Sequence, residues 1–212
     1  MFYVQTARII ATLVAIAAVP LAQVLPDWMG WENQPIENAN AAVALLGMIA
    51  ACVFQYRNGG QWAWFWRATA LVWFILFARE LSWGAVFYPP TQMTRLGPFF
   101  SSRELWYRPV IYPLVGLLVA ATCYIILRYR TWQIVRDLIH GDGAPWLEAA
   151  LAIFCMAISI SAEGHGGPLT GWIGGQSLVL EEAAELAAFL WVVAGQYRVR
   201  EFELRSRSIA SG

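Results

Sequence analysis

Residues 178–196, LVLEEAAELAAFLWVVAGQ, decide the fold class, because they are apolar apart from three glutamates and a closing glutamine. A helix needs about 20 mostly apolar residues to cross a bilayer. Glu185 lies 12 residues before Tyr197, which is about 18 Å along a helix that rises 1.5 Å per residue. An ionisable group at that depth is costly unless it is paired, hydrated or bound to a ligand. The stretch therefore predicts a membrane helix with a functional glutamate inside it.

The rest of the chain has the same apolar character. Of its 212 residues, 59% are hydrophobic and 13% are charged, and a mean hydropathy of +0.52 is typical of an integral membrane protein. Five further stretches are candidate spans: Ile9–Leu25, Asn38–Tyr56, Trp62–Trp83, Pro109–Leu127 and Trp146–Ala162. We therefore predict an all-α polytopic protein with six transmembrane helices, as a single integral membrane domain over residues 1–212. Its zero net charge and lack of a basic patch argue against a nucleic-acid partner.

The arginines predict the orientation, since the chain contains no lysine. Ten of them fall on one side of a six-helix arrangement: Arg8, Arg57, Arg67, Arg128, Arg130, Arg136, Arg198, Arg200, Arg205 and Arg207. The other side receives Arg79, Arg95, Arg103 and Arg108. By the positive-inside rule, both termini are then cytoplasmic. We expect a bacterial inner-membrane protein whose other face looks outward.

A repeated helix ending suggests that the six helices form three hairpins. The second, fourth and sixth spans all end in a tyrosine followed by an arginine: Tyr56-Arg57, Tyr129-Arg130 and Tyr197-Arg198. A tyrosine at the headgroup level next to an arginine is a typical cytoplasmic anchor. Most connections are short, but residues 84–108 form a long outward loop with prolines and aromatics. Such a loop is unusual for a connector, and we expect it to lie on the bilayer surface or to cap the bundle.

The acids gather at the outward end of the predicted helices. Glu37, Glu80, Glu163, Glu181, Glu182 and Glu185 all fall where the chain approaches or leaves that face. We expect most of them, together with His165, to converge on one pocket, with Glu80, Glu163, Glu182 and Glu185 as candidate catalytic residues. Acids in the first turn of a helix also complement its dipole. That reading accounts for Glu181 and Glu182 but not for the deeper Glu185.

Clustered carboxylates repel one another, and three kinds of partner can relieve the repulsion. The first is Arg79, and the second is a proton on one of the acids. The third is a divalent ion such as Fe, Mn or Zn, because several glutamates with a histidine form the ligands of di-iron and di-manganese bundles. Its candidate ligands are Glu80, Glu163, His165, Glu181, Glu182 and Glu185. The paired Glu-x-x-His motifs of those bundles are missing from this chain.

A short motif also resembles a known group of proteins. Arg79-Glu80-Leu81-Ser82-Trp83-Gly84 is similar to the acid-x-Ser-Trp-Gly motif of uncharacterised polytopic bacterial membrane proteins. Some of those carry an acid pair that opens the preceding span, which Glu32 and Glu37 match. Arg79 stands where a second acid is common in that motif. The resemblance implies a shared architecture and no particular chemistry.

These patterns lead to one functional expectation and two alternatives. We expect an outward-facing intramembrane carboxylate site that binds a metal or another cation, used by a metal-dependent membrane enzyme on a lipid-like substrate. A cation- or proton-coupled transporter and an accessory subunit of a larger membrane complex remain open. Partners expected with these functions are membrane lipids, a lipid-like small molecule, and further copies of the chain or other subunits. The alanines of the sixth span allow close packing between helices, within one chain or between chains.

Overall fold

The computed structural model describes residues 2–94, 97–162 and 177–210, which are mostly helical. The described part contains seven α-helices: α1 (Phe2–Val24), α2 (Pro35–Tyr56), α3 (Gly60–Glu80), α4 (Arg108–Arg128), α5 (Trp132–His140), α6 (Trp146–Ala162) and α7 (Leu178–Ala210). Three segments are long and apolar enough to cross a membrane: Phe2–Val24, Asp27–Tyr56 and Arg108–Arg128. The prediction of a helical chain is therefore confirmed, and these described segments are consistent with a membrane protein.

The other predicted spans also fold as helices, but each differs from the expectation. Helix α6 is apolar and only 17 residues long. In α3 and α7, tryptophan, arginine and glutamate residues reduce the apolar character. Helix α7 continues past the predicted end at Gln196 and reaches Ala210, so its 33 residues span about 50 Å. Six crossings remain a prediction.

Helix α7 is the centre of the bundle. It packs along α1 and α6 and also contacts α2, whereas α3 packs on α2 and α4 packs on α3. Small side chains allow this close approach. The buried positions of α1 are Val4, Ala11 and Ala18, spaced seven residues apart. Ala11 and Ala18 pack with buried alanines of α7, among them Ala187 and Ala183.

A second core contains the largest buried side chains. Trp66 and Trp73 of α3 are almost completely buried, and the ring of Trp73 lies against Gly47 of α2, where a Cβ would come within 2.5 Å of it. Gln196 of α7 ties the three helices together. Its Oε1 accepts a hydrogen bond from Trp73 Nε1 at 2.5 Å, and its Nε2 donates to the Gly47 carbonyl at 3.1 Å.

The two ends of the bundle differ in charge, as the sequence predicts. We call the end that contains Arg8, Arg57 and Arg200 the arginine end. There the buried carboxylate of Glu203 accepts hydrogen bonds from Trp66 Nε1 at 2.9 Å and from Arg200 Nη1 at 2.5 Å. We call the other end, where α3 and α6 finish and α2 and α7 begin, the acidic end.

The long loop after α3 has more structure than the sequence indicates. It contains 3₁₀ turns at Ser82–Phe87 and Ser102–Glu104 and a small antiparallel hairpin of β1 (Gln92–Thr94) and β2 (Gly97–Phe99). The hairpin docks on the acidic end, because Gly97 leaves room for the ring of Trp31, which a Cβ would meet at 2.4 Å. The expectation that this loop caps the bundle agrees with this packing.

Candidate functional site

A tight turn directly follows the end of α3, at the acidic end. Ser82, Trp83 and Gly84 have φ angles of 45°, 55° and 91°, in the left-handed region that costs about 1–3 kcal/mol for a residue with a side chain. Tyr107 supports the turn by donating its hydroxyl hydrogen to the Trp83 carbonyl at 3.1 Å. The Ser-Trp-Gly motif is therefore the turn that reverses the chain directly after Arg79 and Glu80.

A cavity of about 590 Å³ lies under the hairpin at the acidic end. Its walls come from the beginnings of α2 and α7, the ends of α3 and α6, and the hairpin. Six carboxylates and one guanidinium line it: Glu32, Glu37, Glu80, Glu181, Glu182 and Glu185, with Arg79. The charged side chains of four different segments thus face one space.

The structure brings together four of the residues that the sequence singles out as a site. Glu80, Glu181, Glu182 and Glu185 all line the cavity, as expected from their position in the outward half of the predicted helices. Glu163 and His165 lie outside the described residues. All predicted site residues that the structure describes therefore line the cavity. Their catalytic and metal-binding roles stay predictions.

Arg79 lies between the two acids of the cavity lining whose side chains are buried, Glu80 and Glu185. Its Nη1 is 2.7 Å from Glu185 Oε1 and 3.4 Å from Glu80 Oε1. The side chains of Glu80 and Glu185 are 5% and 7% exposed, whereas the Arg79 side chain is 56% exposed. Arg79 is thus the first of the three expected partners, and it serves both acids from the open side of the cavity.

Neutral groups hold three of the other acids. Glu32 Oε2 accepts from the Phe100 backbone N–H at 2.5 Å, and Glu37 accepts from the Asn33 backbone N–H. Glu182 Oε2 accepts from Asn40 Nδ2 at 2.8 Å. These hydrogen bonds fix the carboxylates in place without supplying positive charge.

Carboxylates outnumber cationic side chains in the lining. Six carboxylates against one guanidinium leave an excess of five negative charges when every acid is ionised. The N-termini of α2 and α7 favour nearby carboxylates, although a helix dipole supplies only about half a positive charge. The donors of the lining therefore leave part of the negative charge of the ionised carboxylates uncompensated, and this remaining charge attracts a cation.

Asn40 adds an unsatisfied polar atom beside this cavity. The residue is 0% exposed, and its Oδ1 has no hydrogen-bond partner among the described residues. A buried acceptor without a donor costs about 1–3 kcal/mol. Asn40 does not itself line the cavity and is joined to it through its hydrogen bond to Glu182.

The acids line a space and do not surround a single point. Within residues 2–94, 97–162 and 177–210, the structure shows no group of three or more histidine, cysteine, aspartate or glutamate side chains placed to hold a metal ion. A metal needs several ligands at about 2.0–2.6 Å. An extended cation, in contrast, can contact carboxylates on separate walls.

A hydrogen-bonded layer lies deeper in the bundle than the cavity. This layer of Trp73, Gln196 and Gly47 lies 11 residues along α7 from Glu185, about 16 Å deeper. None of its three residues is among the described residues that line the cavity.

Sequence reasoning missed three residues that the structure makes important. Glu32 enters the sequence analysis only through the family resemblance and not as a predicted site residue, yet it lines the cavity. Asn40 is a polar residue in an apolar span, three positions after Glu37 and hence near its face. Glu148 resembles a simple helix-capping acid, but it is 1% exposed and paired with Arg8 of α1.

No model of a known protein family matches this chain, and neither does any curated protein or solved structure.

Proposed function

We propose that this protein binds a cation in an outward-facing carboxylate cavity of a bacterial inner-membrane protein. The observation that carries the proposal is the lining of six carboxylates and one guanidinium around about 590 Å³. Charged groups within a membrane protein are costly and are usually paired or functional. Arg79 pairs with two of these acids, and a bound cation compensates the negative charge of others.

The topology belongs to the same proposal. Helices α1, α2, α3, α4, α6 and α7 each cross the membrane once, and both termini are cytoplasmic. The arginine distribution supports this orientation, because ten of the 14 positive residues fall on the side that the positive-inside rule assigns to the cytoplasm. The acidic cavity then opens to the periplasm.

An organic cation fits the cavity better than a single metal ion. The acids lie on four segments, and Arg79 already occupies the position between Glu80 and Glu185. An ammonium group donates up to three hydrogen bonds, which suits carboxylates that have only neutral donors. A metal site would need Glu163 and His165 to join these acids.

A binding or enzymatic role is better supported than transport. A transporter needs a path to the second face of the membrane, and the described residues that line the cavity all lie at the acidic end. The proposed function is therefore recognition of a cationic molecule from one side of the membrane.

Calorimetric titration of the purified protein with ethylamine, and separately with Mn²⁺, tests this proposal. Glu182→Gln keeps the acceptor for Asn40 and removes one charge, so it should weaken ethylamine binding about tenfold, the size of one charged hydrogen bond. Asp137→Asn, an exposed change on α5, is the matched control and should leave binding unaltered. Failure of both cations to bind, or equal ethylamine affinity in Glu182→Gln, would refute the proposed function.

A further inference from the structure

The short helix α5 at the arginine end has an apolar arc that is wider than its contact with the bundle. At about 100° per residue, its five apolar side chains fall within about 160° of the circumference: Trp132, Ile134, Val135, Leu138 and Ile139. The four polar side chains share the opposite arc. Such a division is typical of a helix that lies at the boundary between an apolar and an aqueous phase.

The apolar arc has two parts with different surroundings. Ile134 and Leu138 are buried in the core that α2, α3 and α7 also form. Trp132, Val135 and Ile139 are each 46% exposed. These three residues, which we call the outer face of α5, follow one another at spacings of three and four, so they form one stripe along the helix.

The position of α5 indicates that lipid covers this outer face. Helix α4 is one of the segments that are long and apolar enough to cross a membrane, and near its end Tyr124 and Leu127 are 60% and 72% exposed. From Arg128, the last residue of α4, the chain reaches Trp132 in four residues, which extend at most about 14 Å. The outer face of α5 therefore lies close to the membrane interface at which α4 ends.

The charges around the outer face favour an anionic headgroup. Residues 128–140 contain one acid, Asp137, and three exposed arginines: Arg128, Arg130 and Arg136. With histidine neutral, the segment has a net charge of +2. Arg136 Cζ lies 5.7 Å from the centre of the Trp132 ring, so a guanidinium and an exposed aromatic ring share one surface. Guanidinium groups donate paired hydrogen bonds to phosphate oxygens.

We propose that α5 is an interfacial helix that binds anionic phospholipid of the cytoplasmic leaflet, with its outer face among the acyl chains and its arginines at the phosphates. This inference rests on the topology given with the proposed function and is independent of cation binding at the acidic end. A second copy of the chain is the competing occupant of the outer face. It is disfavoured, because two copies would place like charges next to each other.

Quenching of a local fluorophore by brominated lipids tests the assignment. After replacement of Cys52, Cys123 and Cys155, bimane is attached to Val135→Cys, and the protein is placed in vesicles with increasing fractions of brominated phosphatidylglycerol or brominated phosphatidylcholine. Both lipids should quench the label, and phosphatidylglycerol should do so at severalfold lower mole fraction. A label on His140→Cys, an exposed position on the polar arc, should be quenched little by either lipid.

Arg136→Gln tests the recognition of charge at the outer face. It should lower the preference for phosphatidylglycerol at the Val135 label about fivefold, the contribution of one basic residue near an anionic surface. Arg205→Gln is the matched control, because both arginines are more than half exposed and lie 3.6 Å and 3.5 Å from an acid. Arg205 lies eight residues past Tyr197, about 12 Å beyond the headgroup level, so the control should leave the preference unaltered.

A label on Tyr124→Cys of α4 separates this inference from the topology. Quenching at Tyr124 without quenching at Val135 would leave the topology intact and refute the interfacial helix, whereas no quenching at either position would contradict the topology as well. Equal quenching of the Val135 label by the two lipids, or equal effects of Arg136→Gln and Arg205→Gln, would overturn the binding of anionic lipid. Quenching at Val135 that appears only when the protein is diluted in the vesicles would assign the outer face to a second copy and overturn the proposal.

Discussion

At the scale of single residues, the structure distinguishes acids held by charge from acids held by neutral donors. Glu148 belongs to the first kind: it is buried between α1 and α6 and accepts from Arg8 Nε at 2.8 Å and from Arg8 Nη2. Glu182 belongs to the second, because it accepts from the side-chain amide of Asn40. A buried ion pair stabilises less than its geometry suggests, but loss of one partner leaves an uncompensated charge. The two kinds of acid should therefore respond differently to substitution.

Arg8→Met should strongly destabilise the protein, because it leaves the Glu148 carboxylate buried without its cation. We expect a loss of about 3–5 kcal/mol in the free energy of unfolding, measured by denaturant titration in mixed micelles. The double variant Arg8→Met with Glu148→Leu should recover most of that loss.

Arg136→Met is the matched control for this pair. Arg136 and Asp137 are both more than half exposed and lie 3.6 Å apart, so the change should cost less than about 1 kcal/mol. A loss in Arg8→Met no larger than in Arg136→Met would show that the Arg8–Glu148 pair does not hold α1 to α6.

At the scale of elements, small residues determine how closely the helices approach. The α2–α3 contact depends on Gly47, whose missing side chain leaves room for Trp73. The same tryptophan then reaches Gln196 of α7. One glycine thus allows three helices to meet in one hydrogen-bonded layer.

Gly47→Ala should test that layer. The new methyl group would lie about 2.5 Å from Trp73, so we expect destabilisation of about 1–3 kcal/mol from overpacking, seen as a lower thermal unfolding temperature. Gly116→Ala on α4 is the control, because a Cβ there meets no described atom within 4 Å. Alanine favours helix by about 1 kcal/mol over glycine, so the control should be neutral or stabilising. Equal effects in the two variants would contradict this packing.

At the scale of the whole molecule, the helices pack in two groups that α7 links, and the charged residues of the site lie at one end of the bundle. Helices α1, α6 and α7 join through small residues, α2 and α3 join through tryptophans, and α7 links the two groups. The beginnings of α2 and α7 and the ends of α3 and α6 meet at the acidic end, so the cavity is a product of the topology. Its carboxylates come from elements far apart in sequence.

Sequence patterns predict the helices better than their contacts. The depth of Glu185 follows from a fixed rise per residue, and the position of Glu80 and Glu182 at the outward ends of their helices predicts that both line one cavity. The Glu148–Arg8 pair is not predictable in this way, because helix order does not determine which faces touch. The hairpin over the cavity also escapes prediction, since its two strands have only three residues each.

The central claim is that the carboxylate-lined cavity faces outward and binds a cation. A single cysteine at the lining position Ser82 measures this directly, after replacement of Cys52, Cys123 and Cys155. In intact cells, Ser82→Cys should react with a cationic thiosulfonate reagent at least about tenfold faster than with an anionic one, since charged clefts raise encounter rates by 10-fold or more. Ser208→Cys, at the arginine end, should react only after the membrane is permeabilised. Equal rates for the two reagents at Ser82→Cys, or its protection in intact cells, would contradict the account.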